Sequence, residues 1–399
     1  VMPGGLALST GEEDDFIDPR TSGTVSKDVW VLATEPQQHV SLWLQHDRVK
    51  APLERSSVLP SRSAQNLFWV GRYAERCEGI LRLVRTVVRR ISRADRLQDS
   101  AERACLELLL ASLTRIANAP LNAETAEGGR CRLAPEQELQ AILGNPDRAG
   151  SLADGLQHMI DSASGVRHLW SVDSWRTINR IEAVWKRVEH AFGRISPMVE
   201  IELDRLIRAL MAFAGLNSEN MTREQGWLLL DIGRRIERAA VLTRILRETM
   251  IERYATNVEH LLLEAVLTTT ENVITYRQRY RSYLSRYTVV EQLLRDDTNP
   301  RSVIYQINRL CKHEAALPAV RGGGRPTAAA VQALDDLLRH ADYEQLADSE
   351  PNPDGDPLLD ALLQQVEASL NRFSDILAQV YFSHTPVSRQ SSGGSTGGS

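Results

Sequence analysis

The chain is predicted to be all-α: a bundle of long antiparallel helices with an internal duplication, preceded by a short irregular segment of β character. Three observations carry this. Apolar residues recur at three- and four-residue spacing from Ser61 onward. Period-two alternation is almost absent after residue 60. A six-residue pattern, G-R-x-x-E-R, occurs twice, as Gly71-Arg72-Tyr73-Ala74-Glu75-Arg76 and as Gly233-Arg234-Arg235-Ile236-Glu237-Arg238, 162 positions apart. The register holds further on, because Arg82 and Arg85 fall on Arg244 and Arg247 at the same offset.

Residues 1–60 differ from the rest. They contain Pro3-Gly4-Gly5, the acidic run Glu12-Glu13-Asp14-Asp15, and β-like stretches at Val29–Leu32 and His39–Leu44. So short a piece with so few apolar residues cannot build its own core. It reads as the end of a larger domain (1–35) followed by a linker (36–60), with Pro60 as the boundary. The opening Val-Met-Pro-Gly-Gly looks cut from something longer, or is an alternative start read literally.

The first helix follows Pro60, with Ser61 or Ser63 as N-cap. It sets Leu67, Val70, Ala74, Cys77, Leu81 and Val84 on one face and runs to about Arg93. A second spans Ala101–Ala117 and stops before Pro120; residues 120–135 form a polar loop. Pro135, Gly144-Asn145-Pro146 and Gly150 punctuate short helices. Helices are then expected at 173–192 and 197–214, with Gly215-Leu216-Asn217-Ser218 as a stop. Thr222-x-x-Gln225 has the form of a capping box opening a helix over 222–254, the one that carries the second motif. Further helices fit 256–272, 273–295, 300–316, 326–347 and 358–381, and 386–399 is a flexible Ser/Gly-rich tail.

Composition excludes several classes. The net charge of −5 argues against a dedicated nucleic-acid coat. The 42% hydrophobic content suffices for a core. Cys77, Cys105, Cys131 and Cys311 are far apart and make no C-x-x-C, which points to a reducing cytoplasm. No run of about 18 apolar residues is present to span a membrane, and no signal peptide is visible. The nine histidines form no H-x-x-x-H, H-E-x-x-H or Cys/His cluster, and Walker-type and G-x-S-x-G loops are missing. No cofactor or metal is therefore expected for this chain.

On a helix, Arg72, Glu75, Gly79 and Arg82 share one stripe, with Arg76 at its edge, roughly opposite the Val70–Cys77–Leu81 face. Solvated i,i+3 pairs would contribute only about 0.2–0.5 kcal/mol each. The sharper reading buries the stripe between the two motif-bearing helices, each Glu accepting bonds from the other helix's Arg. Mid-helix Gly71, Gly79 and Gly233, Phe68 beside the charges, and the recurrence itself favour burial. A ligand or partner site stays open as the alternative. General acid–base use of Glu75 and Glu237 is disfavoured, since flanking arginines hold carboxylates ionised. Arg72, Glu75, Arg76, Arg234, Glu237 and Arg238 are thus the candidate residues.

Two lesser patterns stand out. Residues 276–287 place Tyr276, Tyr280, Tyr283 and Tyr287 on one helical stripe among arginines, either a nucleic-acid surface or, favoured by the net charge, a core stripe. Arg85, Arg89, Arg90, Arg93 and Arg96 recur as a solvated face. Gly322-Gly323-Gly324 between Arg321 and Arg325 reads as a flexible loop rather than an anion cradle.

The run Leu59–Arg76 resembles the opening of the bacterial alpha-E domain. So do Ser174-Trp175-Arg176-x-x-Asn179-Arg180, Asn220–Arg223, Asp231–Ala239, Thr275-Tyr276-Arg277 and Asn299-Pro300-Arg301-Ser302-Val303; together the blocks cover 59–385. Met2–Ala7 followed by Ser26–Leu32 resembles the last segment of a circularly permuted ATP-grasp ligase. The resemblance implies a non-catalytic helical module, serving as partner or substrate-presenting domain of an ATP-grasp ligase that forms peptide-type bonds. ATP and Mg would belong to the ligase domain, where Lys27 and Asp28 would contact nucleotide. A transglutaminase-like peptidase is a further implied partner. The rival expectation is a ligand-binding or catalytic helical domain that uses the paired Arg/Glu motifs.

Overall fold

A computed structural model describes residues 4–9, 25–30, 59–97, 99–118, 135–145, 148–191, 197–281, 283–318, 325–343, 345 and 356–382. The expected 39–44 stretch, the 120–135 loop, Gly322–Gly324 and the tail lie wholly or almost wholly outside them, as does Cys131. The chain divides into two compact units, Val1–Val58 and Leu59–Ser399. In the first, β1 (Gly4–Ser9) pairs antiparallel with β2 (Val25–Trp30), Ala7 opposite Lys27 and Leu6 opposite Asp28.

The second unit is all-α among its described residues. Its helices are α1 (Ser61–Leu97), α2 (Ser100–Asn118), α3 (Pro135–Gly144), α4 (Leu152–Ser164), α5 (Val172–Ala191), α6 (Pro197–Asn220), α7 (Gln225–Met250) and α8 (Thr256–Thr269). There follow α9 (Val273–Tyr280), α10 (Arg286–Leu294), α11 (Val303–Ala316), α12 (Pro326–Arg339) and α13 (Pro357–Tyr381). Among the described residues no helix is long and apolar enough to cross a membrane.

At the centre, α1 and α7 run in the same direction. Their contacts advance together: Leu59 with Gln225, Leu67 with Gly226, Gly71 with Leu230 and Arg234, and Gly79 with Val241. This departs from the all-antiparallel bundle, because five helices intervene between the two and return the chain to its starting end. α6 and α13, which pack against the pair, run antiparallel to it. Arg82, Arg85 and Arg89 of α1 meet Met211, Asp204 and Glu200 of α6 in descending order. Arg244 and Arg247 of α7 likewise meet Glu367 and Asp360 of α13.

The predicted apolar face of α1 is buried, from Leu67 and Val70 through Cys77 to Leu81 and Val84. The opposite, charged stripe is buried as well, so α1 is covered all round. This corrects the solvated arginine face at two positions: Arg85 and Arg90 are buried, Arg85 on Asp204 at 2.8 Å and Arg90 on Glu102 at 2.7 Å, while Arg89 is half-exposed and the side chains of Arg93 and Arg96 lie outside the described ones. The acceptors lie on other helices, which spacing within α1 cannot reveal.

Several boundaries also differ. Ser61 and Ser63 lie inside α1, whose first turn closes on the Pro60 carbonyl (Ala64 N to O, 2.9 Å). α6 passes through Gly215, where nothing lies within 4 Å of a Cβ position. An exposed helical glycine costs only about 1 kcal/mol relative to alanine, and Asn217 beyond it is held by the Ser174 hydroxyl at 3.0 Å. The capping box does not form: α7 starts at Gln225 with no side-chain cap, and Gln225 Oε1 instead accepts the Leu59 N–H at 3.3 Å. The 273–295 helix is broken into α9 and α10 at Arg281, which adopts φ 55°. The four tyrosines therefore share no stripe: Tyr276 is buried and Tyr283 exposed.

Candidate functional site

The motif copies meet where α1 and α7 touch backbone to backbone. A Cβ at Gly71 would lie 2.1 Å from the Leu230 carbonyl oxygen and 3.1 Å from the Arg234 nitrogen. A Cβ at Gly233 would lie 2.3 Å from the Phe68 oxygen and 3.3 Å from the Arg72 nitrogen. The contacts are the same pair of positions in each copy, so a local twofold relates them. At Gly79 a Cβ would meet Val241 Cγ1 at 2.8 Å, across the corresponding position of the other copy.

This approach lets each glutamate reach the other helix's arginines. Glu237 is fully buried; its Oε2 accepts from Arg72 Nε at 2.6 Å and its Oε1 lies 3.6 Å from Arg76 Nη1. Arg72, also fully buried, donates to Ser374 of α13 at 3.1 Å and lies 5.8 Å from the Phe68 and Trp69 ring centres. Arg76 donates to the Ala117 carbonyl at 3.3 Å, satisfying the C-terminus of α2. In the other copy, Glu75 accepts from Arg238 through Nε and, at 2.9 Å, Nη2, while Arg234 Nε lies 3.7 Å away. The six candidate residues are all brought together. The two copies differ in which arginine is near: the first of the motif holds Glu237, the second holds Glu75.

Burial pushes the Glu237 carboxyl up, but the guanidiniums of Arg72, Arg76 and Arg244 outweigh it and hold the group below its ordinary range. Glu237 is thus an ionised structural anchor, not a proton donor near neutrality.

Five residues outside the motif complete the network: Asp231, His313, Glu78, Arg82 and Arg301. Asp231 accepts from Arg235 Nε at 3.0 Å, Arg234 Nη1 at 3.1 Å and His313 Nε2 at 2.7 Å. Burial raises its carboxyl, but the His313 bond and Arg235 and Arg234 bring it below the usual range, so it is acceptor-only and Nε2 of His313 carries the proton. Glu78 takes Arg82 Nε at 2.9 Å and Arg301 Nη2 at 3.1 Å. Burial pushes Glu78 up, yet Arg238, Arg301 and Arg82 lower it to about 2. Asp231 and Arg301 lie within the blocks that carried the family resemblance, a signal that gave them no role; Glu78 had only its i,i+4 spacing to Arg82.

The arginine echo beyond the motif is also structural. Arg82 and Arg85 converge on Glu271 at 2.6 and 2.7 Å, and Arg85 also takes Asp204. Their counterparts Arg244 and Arg247 converge on Glu367 at 2.6 and 3.9 Å, and Arg247 also takes Asp360 at 2.7 Å. Glu271 ends α8 at φ 56°, a left-handed position usually given to glycine.

One side of the network opens. Position 78 is Glu where the second copy has Ala240. Around Glu75, Glu78, Arg82, Arg238 and Arg301 lies a cleft of ≈ 40 Å³, room for a water molecule or the tip of a small anion. Among the described residues no group of three His, Cys, Asp or Glu side chains is placed to hold a metal ion. Lys27 and Asp28 belong to the other unit, on β2, Lys27 exposed.

A family model described as a predicted alpha-helical domain with a conserved ER motif matches residues 59–382. The chain belongs to the Alpha-E family. Each motif copy carries a Glu-Arg pair of the kind that description names, Glu75-Arg76 and Glu237-Arg238. The chain is 30% identical over 369 residues to an uncharacterised protein of Mycobacterium tuberculosis (strain H37Rv) and, equally, to one of Mycobacterium bovis. The alignment takes in 88% of the chain but 40% of each relative, so the chain spans well under half the length of the curated relatives it matches. No solved structure matches the chain.

Proposed function

We propose that the Alpha-E body is a non-catalytic partner or substrate-presenting module of a cytoplasmic ATP-grasp ligase that forms peptide-type bonds. The observation that carries this reading is the closure of the motif: both glutamates are held by cross-helix arginines, and the cleft that reaches Glu75 is only ≈ 40 Å³. Such a network fixes a surface rather than performing chemistry. The relatives' greater length supports a module joined to further sequence, and the three described cysteines, all free thiols, suit a reducing compartment. ATP and Mg act in the ligase domain, where Lys27 and Asp28 contact nucleotide; a transglutaminase-like peptidase is a further partner.

The second reading, a ligand site at the motif, is favoured by the small cleft beside Glu75 and Glu78. One experiment separates the two. Amide formation and pull-down are measured for a complete ligase domain with and without this body, and with Glu75→Gln and Glu237→Gln variants kept below their melting temperatures. The module reading expects loss of amide formation without the body and unchanged kcat in both variants. A selective fall of kcat in folded Glu75→Gln overturns it in favour of the cleft; amide formation indifferent to the body overturns both.

A further inference from the structure

The basic, tyrosine-rich stretch 276–287 has no part in the motif network, yet two cavities meet at it. One of ≈ 400 Å³ is walled by Arg253, Tyr283 and Tyr287; the other, of ≈ 530 Å³, by Tyr276, Arg277 and Arg281. His260 and Leu284 border both, so the two are neighbours across a single ridge. Each has the volume of a small-molecule site.

The charges on these walls are unevenly committed. Glu259 faces Arg286 at 3.3 Å and Arg253 at 3.7 Å, and Glu264 faces Arg90 at 3.3 Å. Asp99 accepts the Ala101 N–H at 2.8 Å and Asp356 accepts the Leu359 N–H at 3.0 Å, each ordering a helix start. Arg277, Arg281 and His260 are exposed, and no described residue hydrogen-bonds or ion-pairs with their side chains. The acids of the walls are engaged and these three cationic or proton-bearing groups are not.

A second observation is independent of charge. Arg281 sits at φ 55°, ψ −117°, and the Tyr283 N–H closes on the Tyr280 carbonyl at 3.1 Å. A positive φ of this kind is one that glycine adopts without strain and arginine does not. Strained backbone persists where the surroundings over-determine it and clusters at ligand sites. The sequence keeps an arginine there, beside a cavity floored by Leu267, Val273 and Tyr276.

We propose that the paired cavities bind a small organic dianion, an aryl phosphate ester by class. The phosphate is taken by Arg277, Arg281 and His260, since two arginines without acidic partners suit a dianion. The flat body lies on the apolar floor and against Leu284 and the tyrosines.

Phenyl phosphate, with inorganic phosphate and phenol as separate arms, is titrated into the full chain by isothermal calorimetry. Saturable one-to-one binding is expected, tighter for phenyl phosphate than for either fragment. Arg281→Gly weakens it about tenfold, the loss of one charge-assisted bond, while the melting temperature rises because glycine relaxes the turn. Arg277→Gln weakens binding similarly, and Arg176→Gln, an exposed arginine elsewhere, changes nothing. Phenyl phosphate binding no tighter than inorganic phosphate, or wild-type affinity in Arg281→Gly and Arg277→Gln, overturns the proposal.

Discussion

Replacing Gly71 by alanine puts a methyl carbon 2.1 Å from the Leu230 carbonyl oxygen and 3.1 Å from the Arg234 nitrogen. Both are backbone atoms of α7, so no side-chain rotation relieves the clash. An ordinary contact requires the helices to separate by about 1 Å, the scale on which overpacked cores lose about 1–3 kcal/mol. That separation also stretches the buried 2.6 Å Arg72–Glu237 bond and the part-buried Arg238–Glu75 pair. Uncoupling a buried ion pair costs about 3–5 kcal/mol, of which a partial stretch takes a share. Alanine's better helix propensity returns about 1 kcal/mol. The net expectation is a loss of about 2–4 kcal/mol, or roughly 4–16 °C in melting temperature for a large domain. Circular dichroism melts of Gly71→Ala, Gly233→Ala and the double variant check it. The double variant is expected to lose less than the sum, because one separation relieves both clashes. Gly215→Ala, with open space at its Cβ, gains up to about 1 kcal/mol and serves as control. A Gly71→Ala protein melting at or above the wild-type temperature would refute the close approach.

Glu237→Gln is expected to destabilise more than Glu75→Gln, by about 2 kcal/mol in urea titrations, because Arg72 loses its carboxylate whereas Arg234 and Arg238 keep Asp231 and Glu78 nearby. Stability is expected to fall in acid: the carboxyls of Glu78, Glu237 and Asp231 are depressed in the folded state, so their contribution is whole above the unfolded value of about 4 and is lost as pH falls through each group's lower folded value, about 2 for Glu78. Melting temperature against pH checks this, and Glu78→Gln flattens the curve. At Glu271, with φ 56° and two arginine partners, Glu271→Gly retains about 1 kcal/mol more stability than Glu271→Ala, since only glycine relaxes the backbone; equal chemical-denaturation midpoints would contradict it.

Helix content was legible because apolar spacing is a local property: Leu67 to Val84 and Leu359 to Leu377 announce their own helices. The meeting of the motif copies was legible for a different reason, since mid-helix Gly71 and Gly233 signal close approach and a repeated Arg/Glu pattern can satisfy itself. What stayed hidden depends on distant acceptors. Arg85 and Arg90 look solvent-facing until Asp204, Glu271 and Glu102 are placed beside them. The direction of α7 relative to α1 was equally hidden, because in-register and reversed pairings give the same local pattern. The break at Arg281 escaped because arginine occupies a position that glycine ordinarily marks.

The in-register pairing of α1 with α7 also fixes an order of events during synthesis. The acceptor for Arg72 is Glu237, 165 positions later in the chain. At about 5–20 residues per second, α7 leaves the ribosome on the order of ten seconds or more after α1. Through that interval α1 holds Arg72 and Arg76 without their cross-helix anion and cannot bury its charged side. Only its apolar side, against α2 and α4, is ready to assemble. The collapse of the centre must then wait for the second copy, and the outer side of α7 waits longer still, for the Glu367 and Asp360 of α13.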